Sequence, residues 1–250
     1  MSQSFRVLPR LRPRRTPAFT LIELLVVIAI IAVLASIAIP VYGEAQAKAQ
    51  RTKCLAQAKG VFPGLKMFAG DHDGSFPSLE NTDAATPGGV LKDANAGFAN
   101  LIPNYIANES PFGNSSSRYC KDNTTNQYKG PDNDISTDQK KLEGGENTYS
   151  YIMGLNETSN SSYPIMADGF AQGSESDPKY SKKENEYGAV WKGRYAIVIL
   201  CDGSGAVLIP KSTNQKVERK GSGAKNLFGV DSSDTDPWLV GCTVLNPKTQ

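Results

Sequence analysis

The chain has 250 residues, of which 39% are hydrophobic and 21% charged, with 27 basic against 25 acidic groups and a formal net charge of +2. That balance fits one domain plus a membrane segment, or two small domains, and gives no reason to invoke nucleic acid as a partner. A single histidine, with no G-x-S-x-G, H-E-x-x-H, P-loop or G-x-G-x-x-G pattern, argues against an enzyme.

Charge is unevenly placed. Residues 1–18 hold Arg6, Arg10, Arg12, Arg14 and Arg15 and no acid, and without them 22 basic groups would face 25 acidic ones. This leader is a separate electrostatic object. The run "AFTLIELLVVIAIIAVLASIAIP", Ala18 to Pro40, follows with one charge, Glu23. From Leu24 to Val41 the residues are uncharged and mostly aliphatic, a stretch near the length that crosses a bilayer core. Arginines stay on the cytoplasmic side, so the rest of the chain is expected outside the cytoplasm. A cleaved secretory signal with a small-x-small site at Ser36-Ile37-Ala38 is one reading. Its apolar region is too long for that type, and the helix signal does not stop there. "YGEAQAKAQRTKCLAQAK" continues with good helix formers. One helix from Thr20 to Ala69 is predicted, bent at Pro40 and about 75 Å long.

Glu23 needs a partner. A carboxylate in a membrane helix costs roughly 2.5–3.5 kcal/mol when central. A cut before Phe19 would free an amine one helical turn upstream, able to pair with Glu23 of the same or a neighbouring chain. Mispairing would leave a buried charge alone, so the pair would fix register.

Beyond Pro40, Leu55, Ala58, Phe62, Leu65 and Phe68 recur at three- and four-residue steps, a stripe that should pack on a sheet. Gly60 and Pro63-Gly64 predict a second bend, and "AGDHDGSFP" ends the helix. A short helix is expected over Phe98–Ile106 despite Pro103, and residues 107–147 read as loops. Strands are expected at 148–155, 163–168, 193–201, 205–210 and 238–245, with "DGSG" turning a hairpin between the third and fourth. The third is almost wholly apolar and so central, and its burial against the stripe contributes about 1.5–3 kcal/mol per large side chain. Residues 211–226 are basic and read as a mobile loop. The sum is an α+β head, a long helix on an antiparallel sheet.

The run from Ala18 to Pro40 resembles the leader and first helix of type IV pilins and type II secretion pseudopilins. The resemblance implies a prepilin peptidase that cuts between Ala18 and Phe19 and methylates the new amine. It also implies assembly roles for Glu23 and Pro40, which stand at the family's glutamate and proline positions. Ala18 departs from the glycine usual before the cut. Four segments follow: a leader (1–18), a transmembrane assembly helix (19–41), the exported half of the helix (42–70) and a periplasmic head (71–250). The stretch "CLAQAKGVFPGLKMFAGDHDGSFPS" resembles pseudopilin-like proteins with an H-x9-D-G carboxyl-terminal motif. Asp202-Gly203 fit the D-G, whereas Lys192 stands where the histidine belongs.

The resemblance implies the pilin fold, a single-pass inner-membrane protein, and partners in the peptidase, other pilin or pseudopilin subunits and an inner-membrane assembly platform. The first functional expectation is a pseudopilin of type II secretion, in a short periplasmic filament. The alternative is a type IV pilus subunit, minor or adhesive. A third reading is a soluble exported binding protein released after Ala38.

No cofactor is required by these readings. Two acidic runs, Asp231, Asp234 and Asp236, and Asp132, Asp134 and Asp138, offer hard oxygens suited to Ca2+, without EF-hand spacing; solvated acidic loops are the commoner meaning. The resemblance adds that major pseudopilins hold calcium in a carboxyl-terminal loop. His72 is expected as an exposed loop residue. Cys54, Cys120, Cys201 and Cys242 permit up to two disulfides in three full pairings, and nothing selects among them. Asn108, Asn114, Asn123, Asn156 and Asn160 head N-x-[ST] triplets that read as loop composition. Tyr119, Tyr128, Tyr149, Tyr151 and Tyr163 are expected in packing more than in a binding surface.

Overall fold

The computed structural model describes residues 20–78, 91–138, 140–222, 225–231 and 237–250. Contacts divide the chain into two compact units, Met1–Ala49 and Gln50–Gln250. Helix α1 runs Leu21–Asp71, close to the predicted bounds, and its assignment is unbroken through Pro40, Gly60, Pro63 and Gly64. Gly64 has a packing reason. A Cβ there would lie 2.6 Å from Ile106 Cγ1, so the Ile106 side chain packs directly on the α1 backbone at this point.

Within Gln50–Gln250, α1 buries Cys54, Ala58, Val61, Leu65 and Ala69 completely and Phe68 almost so. The buried stripe is therefore centred slightly to one side of the predicted one, with Phe62 nearly buried and Leu55 half-buried at its flank. The sheet beneath has five antiparallel strands: β1 (Tyr149–Met153), β2 (Pro164–Asp168), β3 (Ala196–Leu200), β4 (Gly205–Leu208) and β5 (Thr243–Leu245), in the order β4-β3-β2-β1-β5. All five fall on the predicted stretches. Tyr151 pairs with Met166 and with Leu245, and Ile197 with Val207. Ala196 to Ile199 have no exposure, as the continuous apolar run of β3 demands of a strand covered on both faces. The tyrosines of β1 are packed: Tyr149 Oη donates to Cys54 O at 3.1 Å and Tyr151 Oη to Pro77 O at 2.9 Å. Tyr119 is buried and Tyr163 packs edge-on against Trp238, whereas Tyr128 is exposed.

Three expectations are corrected. The short helix, α2, spans Ala94–Ala99, earlier than predicted. Asp93 caps it by accepting from Ala96 N at 2.9 Å, while Pro103 lacks an N–H and biases Ile102 away from helical backbone, so residues 100–105 are turns. Residues 211–222 are anchored: Val217 and Arg219 are buried, and the Arg219 guanidinium lies 4.4 Å above the Trp238 ring. His72 is half-buried, stacked on Phe68 with centroids 3.8 Å apart, its Nδ1 2.7 Å from Phe68 O.

All four cysteines are free thiols. Burial pushes the Cys54, Cys120 and Cys201 thiols up to about 12. Four of the five N-x-[ST] asparagines, Asn108, Asn114, Asn156 and Asn160, accept the N–H two residues on. The pattern builds Asx turns.

Candidate assembly segment

The first half of α1 is apolar all round. Every large hydrophobic residue from Leu21 to Val41 is between 46 and 81% exposed, and an 18-residue window with mean hydropathy 3.1 has none of its residues buried. A helix of this kind has no polar face to give to water, so its stable surroundings are lipid or other apolar helices. That rules out a core helix, which would be covered by its own chain.

Thr20 and Glu23 open it. Thr20 N and Thr20 Oγ1 donate to Glu23 Oε2 at 2.8 and 2.7 Å, and Glu23 N donates back to Thr20 Oγ1 at 3.2 Å. These reciprocal bonds are a capping box, a local T-x-x-E signal that the sequence reading of Glu23 passed over. Glu23 thus has a structural task at the helix start beside any pairing role. Ala18 and Phe19 lie outside the described residues. Pro40 lies inside α1.

Asp202 and Gly203 form the turn between β3 and β4. Asp202 Oδ1 accepts from Ser204 N at 2.7 Å, which with the Ser204 hydroxyl holds its carboxyl below the usual range. Gly203 has φ +79°, and a Cβ there would fall 2.7 Å from the Phe62 ring. Any side chain would strain the turn and push it off α1. The D-G pair therefore works as a turn seated on the long helix. Lys192, in place of the motif's histidine, makes an ion pair with Glu184 at 3.0 Å.

The carboxylates divide differently from their spacing in sequence. Asp231 pairs with Lys225 at 2.5 Å, and Asp234 and Asp236 lie outside the described residues. Asp134 binds Ser136, and Asp138 binds Lys141 at 2.6 Å. Asp132 instead meets Glu109 and Glu146, both fully buried. Burial raises the Glu109 carboxyl, opposed by the N–H groups of Leu142 and Asn133. Burial raises Glu146 to about 7, opposed by Lys129 and reinforced by Glu109 and Asp132. Asp168 is also fully buried. Its Oδ2 accepts from Trp191 Nε1 at 2.8 Å and Ile197 N at 2.7 Å, and burial still pushes its carboxyl up to about 7.

An α+β head behind an unburied, membrane-length helix defines the class: a pilin-like protein. Residues 13–39 match the family model of the prokaryotic N-terminal methylation motif. The chain is 28% identical over 164 residues to a fimbrial protein of Neisseria meningitidis, covering 65% of this chain and 89% of that one. It is 35% identical over 74 residues to a type IV major pilin protein of Neisseria gonorrhoeae, and 39% identical over 64 residues to one of Myxococcus xanthus. Those two matches span 34% and 29% of the relatives' own lengths. No solved structure matches. The chain carries the prokaryotic N-terminal methylation motif, and the relatives it resembles are a fimbrial protein and two type IV major pilins.

Proposed function

We propose that the chain is a subunit of a type IV pilus, a surface fibre, in preference to the secretion pseudopilin first expected. The match to the fimbrial protein carries this reading, because it extends over 89% of that relative and therefore well past the shared leader. In this proposal the leader (1–18) is removed between Ala18 and Phe19, and the helix (19–41) waits in the inner membrane with residues 42–70 and the head (71–250) outside. Assembly then buries the aliphatic surface of residues 24–39 between subunits. The methylated amine of Phe19 pairs with Glu23, and Pro40 lets the helix adapt in the fibre. The partners are a prepilin peptidase, other pilin subunits and an inner-membrane platform.

The mass of the mature amino terminus tests processing. Methylated Phe19 is expected; a chain beginning at Ile39 would instead mean release as a soluble protein. Recovery of the subunit in fibres sheared from the cell surface supports the pilus, and its absence there together with loss of protein secretion on deletion supports the pseudopilin. Two substitutions separate the roles of Glu23. Glu23→Gln keeps an oxygen for Thr20 N but removes the charge, and should abolish fibres while leaving membrane insertion intact. Thr20→Ala removes the cap, at a cost of about 1 kcal/mol at the helix start, and should still assemble. Normal fibres from Glu23→Gln would overturn the charge pairing.

A further inference from the structure

We propose that Glu109, Asp132 and Glu146 form a structural calcium site in the long connection between α2 and β1. One carboxylate oxygen from each of the three lies within 4.8 Å of the other two. Calcium holds oxygens at about 2.3–2.6 Å, so ligands on opposite sides of one ion stand about 5 Å apart, and three such atoms fit a single coordination sphere. Mg2+ demands near-ideal octahedral geometry and gives up its water reluctantly, so a site built from three protein carboxylates suits it less. All donors are hard oxygens, with no sulfur or imidazole among them, which selects the calcium class over transition metals.

The second observation is an oxygen without a donor. Glu146 has no exposure, and its Oε1 receives no hydrogen bond. The nearest cation is Lys129, whose Nζ stands 3.6 Å from that oxygen and 3.6 Å from Glu143 Oε2 while donating to Gly144 O at 2.9 Å. At 3.6 Å the ammonium attracts but does not hydrogen-bond. A sealed carboxylate oxygen left in that condition is costly, and more so beside two other acids. Glu143 is shared with Lys140, also at 3.6 Å, so four carboxylates and two ammoniums leave a charge of −2, which a divalent cation neutralises.

The other two ligands are set in place. Glu109 Oε1 accepts from Leu142 N at 2.6 Å and Oε2 from Asn133 N at 3.0 Å, while Glu109 N donates to Asn133 Oδ1 at 3.1 Å. Each carboxylate oxygen has two acceptor sites, so these bonds orient Glu109 without exhausting it. Asp132 is exposed and closes the site from the solvent side. The ligands sit far apart along the chain, so an ion here ties the connection together and stabilises the folded head by mass action.

The test uses the full chain in detergent, stripped of metal and titrated with calcium chloride alone in neutral buffer, read by thermal unfolding and calorimetry. Calcium is expected to raise Tm saturably and magnesium to act far more weakly. Asp132→Asn, at an exposed position, should fold as well as the parent without metal and bind calcium at least roughly tenfold more weakly. Glu146→Gln should abolish the response and raise Tm in the absence of metal, since it removes a buried charge. Asp231→Asn should leave the response unchanged. The site is overturned if millimolar calcium leaves Tm unmoved, if Asp132→Asn binds as tightly as the parent, if magnesium acts equally, or if Asp231→Asn abolishes the response.

Discussion

The two halves of α1 use the same aliphatic residues and meet opposite surroundings. From Leu21 to Val41 the helix is apolar on every side and none of it is covered by its own chain. From Cys54 to Ala69 most apolar residues keep to three- and four-residue steps and disappear into the head, while Lys53, Lys59 and Met67 remain outside. Composition makes both halves helical; the spacing of polar residues decides which solvent each half is built for. A one-sided stripe asks for a sheet, and an all-round apolar surface asks for lipid or for other copies.

The largest way to break that comparison is to cut the same side chain from each half. Leu65→Ala should cost about 2–5 kcal/mol in urea unfolding of Gln50–Gln250, because Leu65 has no exposure and leaves a cavity. Leu34→Ala in the full chain should leave the unfolding midpoint of the head unchanged; an equal loss would mean that the apolar half stabilises the head.

Titration sharpens it, since the head carries deeply buried acids. Asp168 has its folded carboxyl raised to about 7 from the usual carboxylate range. Between those values the folded state holds more protons than the unfolded one, so this contribution to stability is complete below about pH 4 and is lost as pH rises to about 7. The loss is on the order of a few kcal/mol. Asp168→Asn keeps an oxygen for Trp191 and Ile197 and should make that slope shallower, leaving the share of Glu146, as followed by urea midpoints across the window. The smallest effect is expected at the surface. Lys66 and Glu157 pair at 3.1 Å with both side chains more than a third exposed, and Glu157→Gln should change head stability by less than about 1 kcal/mol.

Much of this molecule is legible from its residues. The helix, the five strands and the β3–β4 hairpin follow from periodicity and turn chemistry, which act over a few neighbouring residues. The errors arose where a local signal was outweighed. Asp93 as a cap and Pro103 as a breaker moved α2 toward the amino terminus, and Thr20 gave Glu23 a capping partner beside the amine proposed for it.

The charge-free stretch after Glu23 and the helical stripe determined the membrane-length helix and the α+β head, because each is written in contiguous residues. The acids show what contiguity cannot say. Asp132 reads as one of a run with Asp134 and Asp138, yet those two turn to Ser136 and Lys141 while Asp132 joins Glu109 and Glu146. Only the packed connection between α2 and β1 brings those three carboxylates together and seals two of them from water, since burial and proximity across the chain are properties of the fold.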